Sequence, residues 1–172
     1  MSSIRNDPLM RVAVVSDTHV PRFVRRMPPF LARLAAEAPD IILHCGDFTE
    51  LAEVAPLEAL AAFDGVAGNN DGEEIVRRFG RTKILELAGR RIGLVHGDGP
   101  RGTTLERARS AFRAPLDAIL FGHSHVPFCE RLDGTWLINP GSPTDKRRQA
   151  RFSYAVIDIE RARFEPRLVL FD

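Results

Sequence analysis

Short apolar runs, each closed by a glycine or a carboxylate, recur along the 172-residue chain. Val12-Ala13-Val14-Val15 stops at Ser16-Asp17, Ile41-Ile42-Leu43-His44-Cys45 at Gly46-Asp47, and Ala118-Ile119-Leu120-Phe121 at Gly122. Unbroken β-branched runs of this length predict strands buried on both faces. Between the first two, a Pro- and Arg-rich loop over 20–29 precedes Phe30-Leu31, Leu34-Ala35 and Ala38, whose spacing predicts a helix. Leu51, Val54, Leu57 and Leu60 predict a second helix, capped by Thr49, and 65–67 a short strand. Asp71, two residues before Glu73-Glu74, reads as the cap of a helix over 75–79.

The second half changes character. Apolar stretches over 84–87 and 91–95 flank Ala88-Gly89-Arg90 and predict a hairpin, and Thr103 or Thr104 starts a helix running to Phe112. Asp133-Gly134 between 128–132 and 135–138 is a strong hairpin turn, and 154–159 and 167–171 supply the last strands. Helices alternate with strands early and strands dominate late, so the expected class is α/β, two packed sheets with helices outside.

Composition narrows the partners. Hydrophobic content of 44% over 172 residues suits one domain spanning 1–172, with 1–9 a flexible polar lead-in lacking the basic start and apolar stretch of a secretory signal. Lys and Arg number 24 against 23 Asp and Glu, which gives no net field for nucleic acid or anionic lipid, so stable nucleic-acid binding is not expected. No uncharged apolar run reaches the ~18 residues of a membrane span. The only cysteines, Cys45 and Cys129, sit in apolar settings that favour packing and a reduced cytoplasmic location. Phe128, Trp136 and Phe152 are equally suited to the core or to a self-association patch that would make a homo-oligomer.

The chemistry collects at the strand ends. Asp17-Thr18-His19, Gly46-Asp47, Gly68-Asn69-Asn70-Asp71, His96-Gly97 and Gly122-His123-Ser124-His125 bring carboxylates, amides and four of the five histidines toward one edge. Open α/β sheets bind ligands at such an edge. A single histidine there is most often a structural residue. The set is different, because carboxylates, imidazoles and an amide oxygen are what a pair of borderline divalent cations requires. Asp47 has two oxygens with which to bridge, and Asp17 and His19, two apart on an extended segment, share a side. Asn69 adds a neutral carbonyl oxygen and His96 a further nitrogen. His44, by strand alternation, points away from Cys45 and stays outside the metal shell.

The order of these motifs resembles the calcineurin-like metallophosphoesterases, and Asn139-Pro140-Gly141-Ser142 with the short length resembles their small prokaryotic phosphodiesterase branch, to which the retromer subunit of eukaryotes is also similar. The resemblance implies a four-layer α-β-β-α sandwich of two mixed sheets flanked by helices. It implies that Asp17, His19, Asp47 and His125 hold one ion and that Asp47, Asn69, His96 and His123 hold the other. Asp47, Asn69 and His123 are then the catalytic residues, and a bridging hydroxide activated by both metals attacks a small phosphodiester substrate. Mn²⁺ is the first expectation, with Ni²⁺, Fe, Co²⁺ or Zn²⁺ as alternatives. A phosphomonoesterase and a protein-binding scaffold with little catalysis are the rival readings.

Three neighbours of these motifs have supporting roles to consider. Asn70 stands where relatives acting on phosphoproteins carry a histidine that protonates the leaving oxygen, which favours diesters over alkyl monoesters. Asp98 reads as a turn residue ahead of an outer-shell role, and Asp71 as a helix cap ahead of a ligand-orienting one. Arg22, Arg25 and Arg26, and the run Lys146-Arg147-Arg148 with Arg151, read as solvated loops, with electrostatic attraction of phosphate as the sharper alternative.

Overall fold

A computed structural model describes residues 9–160 and 162–172, so the expected lead-in lies outside the described residues except for Leu9. One sheet has the order β10-β9-β1-β2-β3, formed by β1 (Met10–Val15), β2 (Ile41–His44), β3 (Ala62–Gly65), β9 (Phe152–Glu160) and β10 (Arg163–Phe171). The other has the order β4-β5-β6-β8-β7, formed by β4 (Thr82–Leu87), β5 (Arg90–Val95), β6 (Ala118–Leu120), β7 (Phe128–Leu132) and β8 (Thr135–Asn139). Each is mixed: β1, β2 and β3 run parallel, as do β5, β6 and β8, with antiparallel strands outside them.

Alternation along β1 decides the layering. Val12 and Val14 turn inward and meet Leu43, Ile92, Leu94, Leu120 and Ile138 between the sheets. Ala13 and Val15 turn outward against Phe30 and Leu34 of α1 (Met27–Glu37) and Leu57 of α2 (Val54–Glu58). Ile75 and Phe79 of α3 (Glu73–Phe79) pack on Phe48 and Val54. Ala108 of α4 (Thr104–Ser110) covers Ile119, Phe121 and Leu137. The result is the expected four-layer sandwich. Because β1, β2 and β3 are parallel neighbours, with Val15 registered on His44 and His44 on Gly65, their carboxyl ends open side by side.

Several local expectations are corrected. Pro28 and Pro29 are the opening residues of α1, where a missing N–H costs nothing, so the helix starts inside the predicted loop. Thr49 does not cap the following helix; a 3₁₀ turn over Leu51–Glu53 leads into α2, and the Thr49 hydroxyl donates to the Val20 carbonyl instead. Asp71 does not cap α3, whose N-cap is Gly72. Strand β3 runs ahead of the predicted 65–67, and β9 and β10 are each nine residues, because Pro166 sits on an edge strand where the ladder tolerates it. Trp136 stacks on Phe164 and Phe152 lies against Phe171, so both rings pack within the chain. Among the described residues no helix is long and apolar enough to cross a membrane.

Candidate metal centre

The loops leaving β1, β2, β3, β5 and β6 carry the predicted ligands, and glycines let them approach. A Cβ on Gly68 would run into the Asp47 carboxylate, and one on Gly122 into the Ser16 hydroxyl and Asp17. Asp17, His19, Asp47, His123 and His125 all have positive φ, between 48° and 65°. Non-glycine residues rarely adopt this region, and a cluster of them signals loops held in place for function.

Two triads form. Ligand atoms of Asp17, His19 and His125, and of Asp17, Asp47 and His96, lie within 4.8 Å of one another in each group. Nε2 of His125 is 3.3 Å from Asp17 Oδ1 and 3.3 Å from His19 Nε2. Asp47 Oδ2 is 3.3 Å from His96 Nε2 and 3.6 Å from His19 Nε2, so it stands between the two groups. Asn69 and His123 lie outside both triads and face each other, Asn69 Oδ1 to His123 Nδ1 at 3.0 Å, with the His123 ring 5.2 Å from that of His96.

Asp17, Asp47, His96 and His125 are aimed by outer contacts. His96 Nδ1 donates to the Cys45 carbonyl at 2.7 Å, which turns Nε2 inward, and His125 Nδ1 donates to the Asp145 carbonyl. Asp17 Oδ2 accepts from the Ser16 hydroxyl and the His123 N–H at 2.7 and 3.0 Å, leaving Oδ1 for the cavity. Asn70 donates to Asp47 twice, from its backbone N–H to Oδ1 at 2.9 Å and from Nδ2 to Oδ2 at 2.7 Å. Asp17 Oδ1 and His96 Nε2 are buried without a hydrogen-bond partner. Buried polar atoms are rarely left so, and two at the focus of carboxylates and imidazoles fit a divalent cation.

The electrostatics agree. Burial disfavours a charged Asp17, but His125, His96 and the Ser16 hydroxyl outweigh it and hold the carboxyl below its ordinary value; Asp47 is lowered by His96 and Asn70 in the same way. Burial alone would lower His96, yet the Asp47 carboxylate 3.3 Å away and the charge of Asp17 raise it to about 9. The imidazolium thus answers the two carboxylates in the metal-free protein. As a metal ligand His96 would give up that proton, so affinity for a divalent cation such as Mn²⁺ is expected to rise by roughly tenfold per pH unit between pH 6 and 8. Titration calorimetry in buffers of different ionisation enthalpy checks this, and a pH-independent affinity with no proton release would contradict it. His19 and His123 are lowered, chiefly by burial.

The remaining residues singled out in the sequence find other places. His44 is buried, its Nδ1 accepting from the Gly46 N–H and its Nε2 facing the Thr18 hydroxyl at 3.0 Å; burial pushes it down to about 3. Burial raises the Cys45 thiol, so it packs and is no nucleophile at neutral pH. Asp98 is exposed on the loop after His96, as a turn residue would be, and its charge reaches His123. Asp71 proves to be an orienting residue: Oδ2 accepts from the N–H groups of Asp47 and Gly68 at 2.8 and 2.7 Å, and Oδ1 from that of Thr49 at 2.7 Å.

Residues 10–162 match the calcineurin-like phosphoesterase superfamily domain. The chain belongs to that superfamily. A "Probable metallophosphoesterase" of Methanothermobacter thermautotrophicus is 35% identical over 143 residues, 80% of each chain. "Phosphodiesterase MJ0936" of Methanocaldococcus jannaschii is 28% identical over 146 residues, covering 77% of this chain and 83% of that one. An archaeal phosphodiesterase structure superposes with a TM-score of 0.75 at 24% identity over 94% of this chain and 100% of its own. Zinc-complexed Vps29 of Entamoeba histolytica gives 0.67 at 21% over 95% and 100%. At these identities the two structures speak for the superfamily fold alone.

Sequence patterning passed over three supports of the superfamily site. Ser142 donates to the Asp17 carbonyl at 2.8 Å and Thr144 to the Thr18 carbonyl at 2.7 Å, tying the Pro-Gly loop to the first motif; adjacency to Asn139-Pro140-Gly141 was the available signal. Glu53 carried no signal. It is 4% exposed, and burial, reinforced by the charge of Asp71, pushes its carboxyl up to about 8. The folded protein therefore keeps a proton that the unfolded chain releases near pH 4.5, and stability falls between pH 4.5 and 8 by up to about 1.4 kcal/mol per pH unit. Glu53→Gln is expected to match the wild type in urea unfolding at pH 5 and exceed it at pH 8. Parallel pH profiles would contradict the assignment.

Proposed function

We propose that the protein is a binuclear, metal-dependent phosphodiesterase acting on small phosphodiesters. The observation that carries this is the pair of buried, partnerless atoms Asp17 Oδ1 and His96 Nε2, 3.9 Å apart, beside Asp47 Oδ2. Asp17, His19, Asp47 and His125 would hold one ion and Asp47, Asn69, His96 and His123 the other, with manganese the first choice. Cations bound there would acidify a water nucleophile and draw charge from the phosphoryl oxygens.

The chain's own residues supply the rest. The two bonds from Asn70 fix the Asp47 carboxylate plane between the triads. His123 is half-buried with its Nδ1 against Asn69 Oδ1 at 3.0 Å, and burial lowers its pKa, which suits a neutral imidazole ligand. Asn70 has no proton to give a leaving oxygen, so the general-acid contribution of ~10²–10⁴-fold is missing at this position. Diesters and good leaving groups are then favoured over alkyl monoesters. The name of the Methanocaldococcus relative supports the diester reading. The Vps29 likeness supports a scaffold as the second reading, and the two triads of carboxylates and imidazoles weigh against it.

The test is a panel of bis(p-nitrophenyl) phosphate, a cyclic nucleotide and an alkyl monoester, with Mn²⁺ and after chelation. Diester turnover with Mn²⁺ that falls by at least ~10² on chelation is expected. No diester turnover with Mn²⁺, Ni²⁺, Co²⁺ or Zn²⁺ would favour the scaffold.

A further inference from the structure

A cleft of about 450 Å³ adjoins the candidate metal centre, lined by His19, Thr49, Asn70, Arg22, Asp145 and Arg147. His19 is a proposed ligand and Asn70 holds another, so whatever fills the cleft is continuous with a phosphoryl group at the centre. The two basic segments noted in the sequence meet here. The Arg26 guanidinium donates to the Thr144 carbonyl, and Arg26 and Lys146 both lie over the Phe152 ring, at 5.1 and 5.2 Å. This clamp brings the loop after the first motif beside the loop after Asn139, which sets Arg22 and Arg147 on one rim.

The rim is unbalanced in charge. Its one carboxylate, Asp145, lies with Oδ2 3.8 Å from His125 Nδ1 and 4.0 Å from Arg147 Nε, between an imidazole and a guanidinium. Arg22 touches the ring of Phe23 at 5.2 Å and forms no ion pair among the described residues. A guanidinium fork matches phosphate oxygens in pairs, whereas an uncharged ester arm would leave the Arg22 fork without an anion and Arg147 with only the distant Asp145 carboxylate. We propose that this cleft is a subsite for a second, non-reacting phosphate, so that the preferred substrates are small phosphodiesters carrying a further phosphoryl group. This rests on the phosphodiesterase reading for its catalytic consequence.

Two measurements separate the claims. The first compares kcat/KM for the p-nitrophenyl ester of thymidine 5′-phosphate with and without a 3′-phosphate, within each protein preparation. The wild type should prefer the 3′-phosphorylated ester by about tenfold, and Arg22→Ala and Arg147→Ala should each shrink the ratio toward one. An equal rate in the wild type, or a preference untouched in both variants, overturns the subsite. The second measures Kd of the Mn²⁺-loaded protein for thymidine 3′,5′-bisphosphate against thymidine 5′-phosphate, and needs no turnover. If neither ester is hydrolysed the catalytic reading fails, while a tenfold binding preference lost in the same variants sustains the subsite and equal affinities overturn it.

Discussion

Asp47→Ala is expected to lower diester kcat/KM by roughly 10³-fold, the several kcal/mol of charge stabilisation that the proposed binuclear centre would supply. Asp47 Oδ2 is the atom within 3.6 Å of imidazoles in both triads, His96 in one and His19 in the other. Its loss removes a carboxylate oxygen that lies near imidazoles of both triads and strands the Asn70 side chain. It also takes away a major support for the raised His96 pKa, so that imidazole should titrate well below its present value of about 9. Metal content by elemental analysis should fall along with activity, and the His96 shift is readable by NMR in the metal-free protein. A variant that keeps a full metal complement and wild-type turnover would remove the basis for the proposed function.

The largest stability effect is expected from Asp71→Ala. Three backbone N–H groups, of Asp47, Gly68 and Thr49, end on this one buried carboxylate, which therefore stitches the loop after β2 to the loop after β3. An unsatisfied buried donor costs ~1–3 kcal/mol, so leaving all three donors without an acceptor should destabilise by roughly 3–9 kcal/mol in urea unfolding. Activity should fall a further ~10–100-fold even where the variant is fully folded, because the Asp47 and Asn69 loops are no longer held in register. Asp71→Asn keeps the volume and one carbonyl acceptor, and should fall between the two. A stability loss below ~1 kcal/mol for the alanine variant would show that Asp71 is not the stitch.

Both predictions concern loops, and loops mark the boundary of what the chain spells out locally. The runs at Val12–Val15, Ile41–Leu43 and Ala118–Leu120 are strands because continuous apolar, β-branched stretches bury on both faces whatever their neighbours do. The Asp133-Gly134 turn, with φ of 50° and 85°, and the Thr103–Glu106 capping box are likewise local. Motif order alone brought Asp17, His19, Asp47, Asn69, His96, His123 and His125 forward, since a carboxylate or imidazole just past a buried strand has few places to go but the sheet edge.

Distance-dependent roles were not written locally. Asp71 has the sequence context of a helix cap, and its partners lie 22 and 24 residues away at Thr49 and Asp47. Glu53 looks like any polar residue in a first helical turn, until the 3₁₀ segment buries it. The basic runs near 22–26 and 146–151 read as solvated loops apart, and become one rim only because Phe152 receives cations from both. Strand runs and motif positions are set by short-range hydrophobic patterning, which the chain carries in itself. Hydrogen-bond acceptors, burial of charge and the meeting of two distant loops depend on which backbone arrives opposite, and that is decided by the packing of the two sheets.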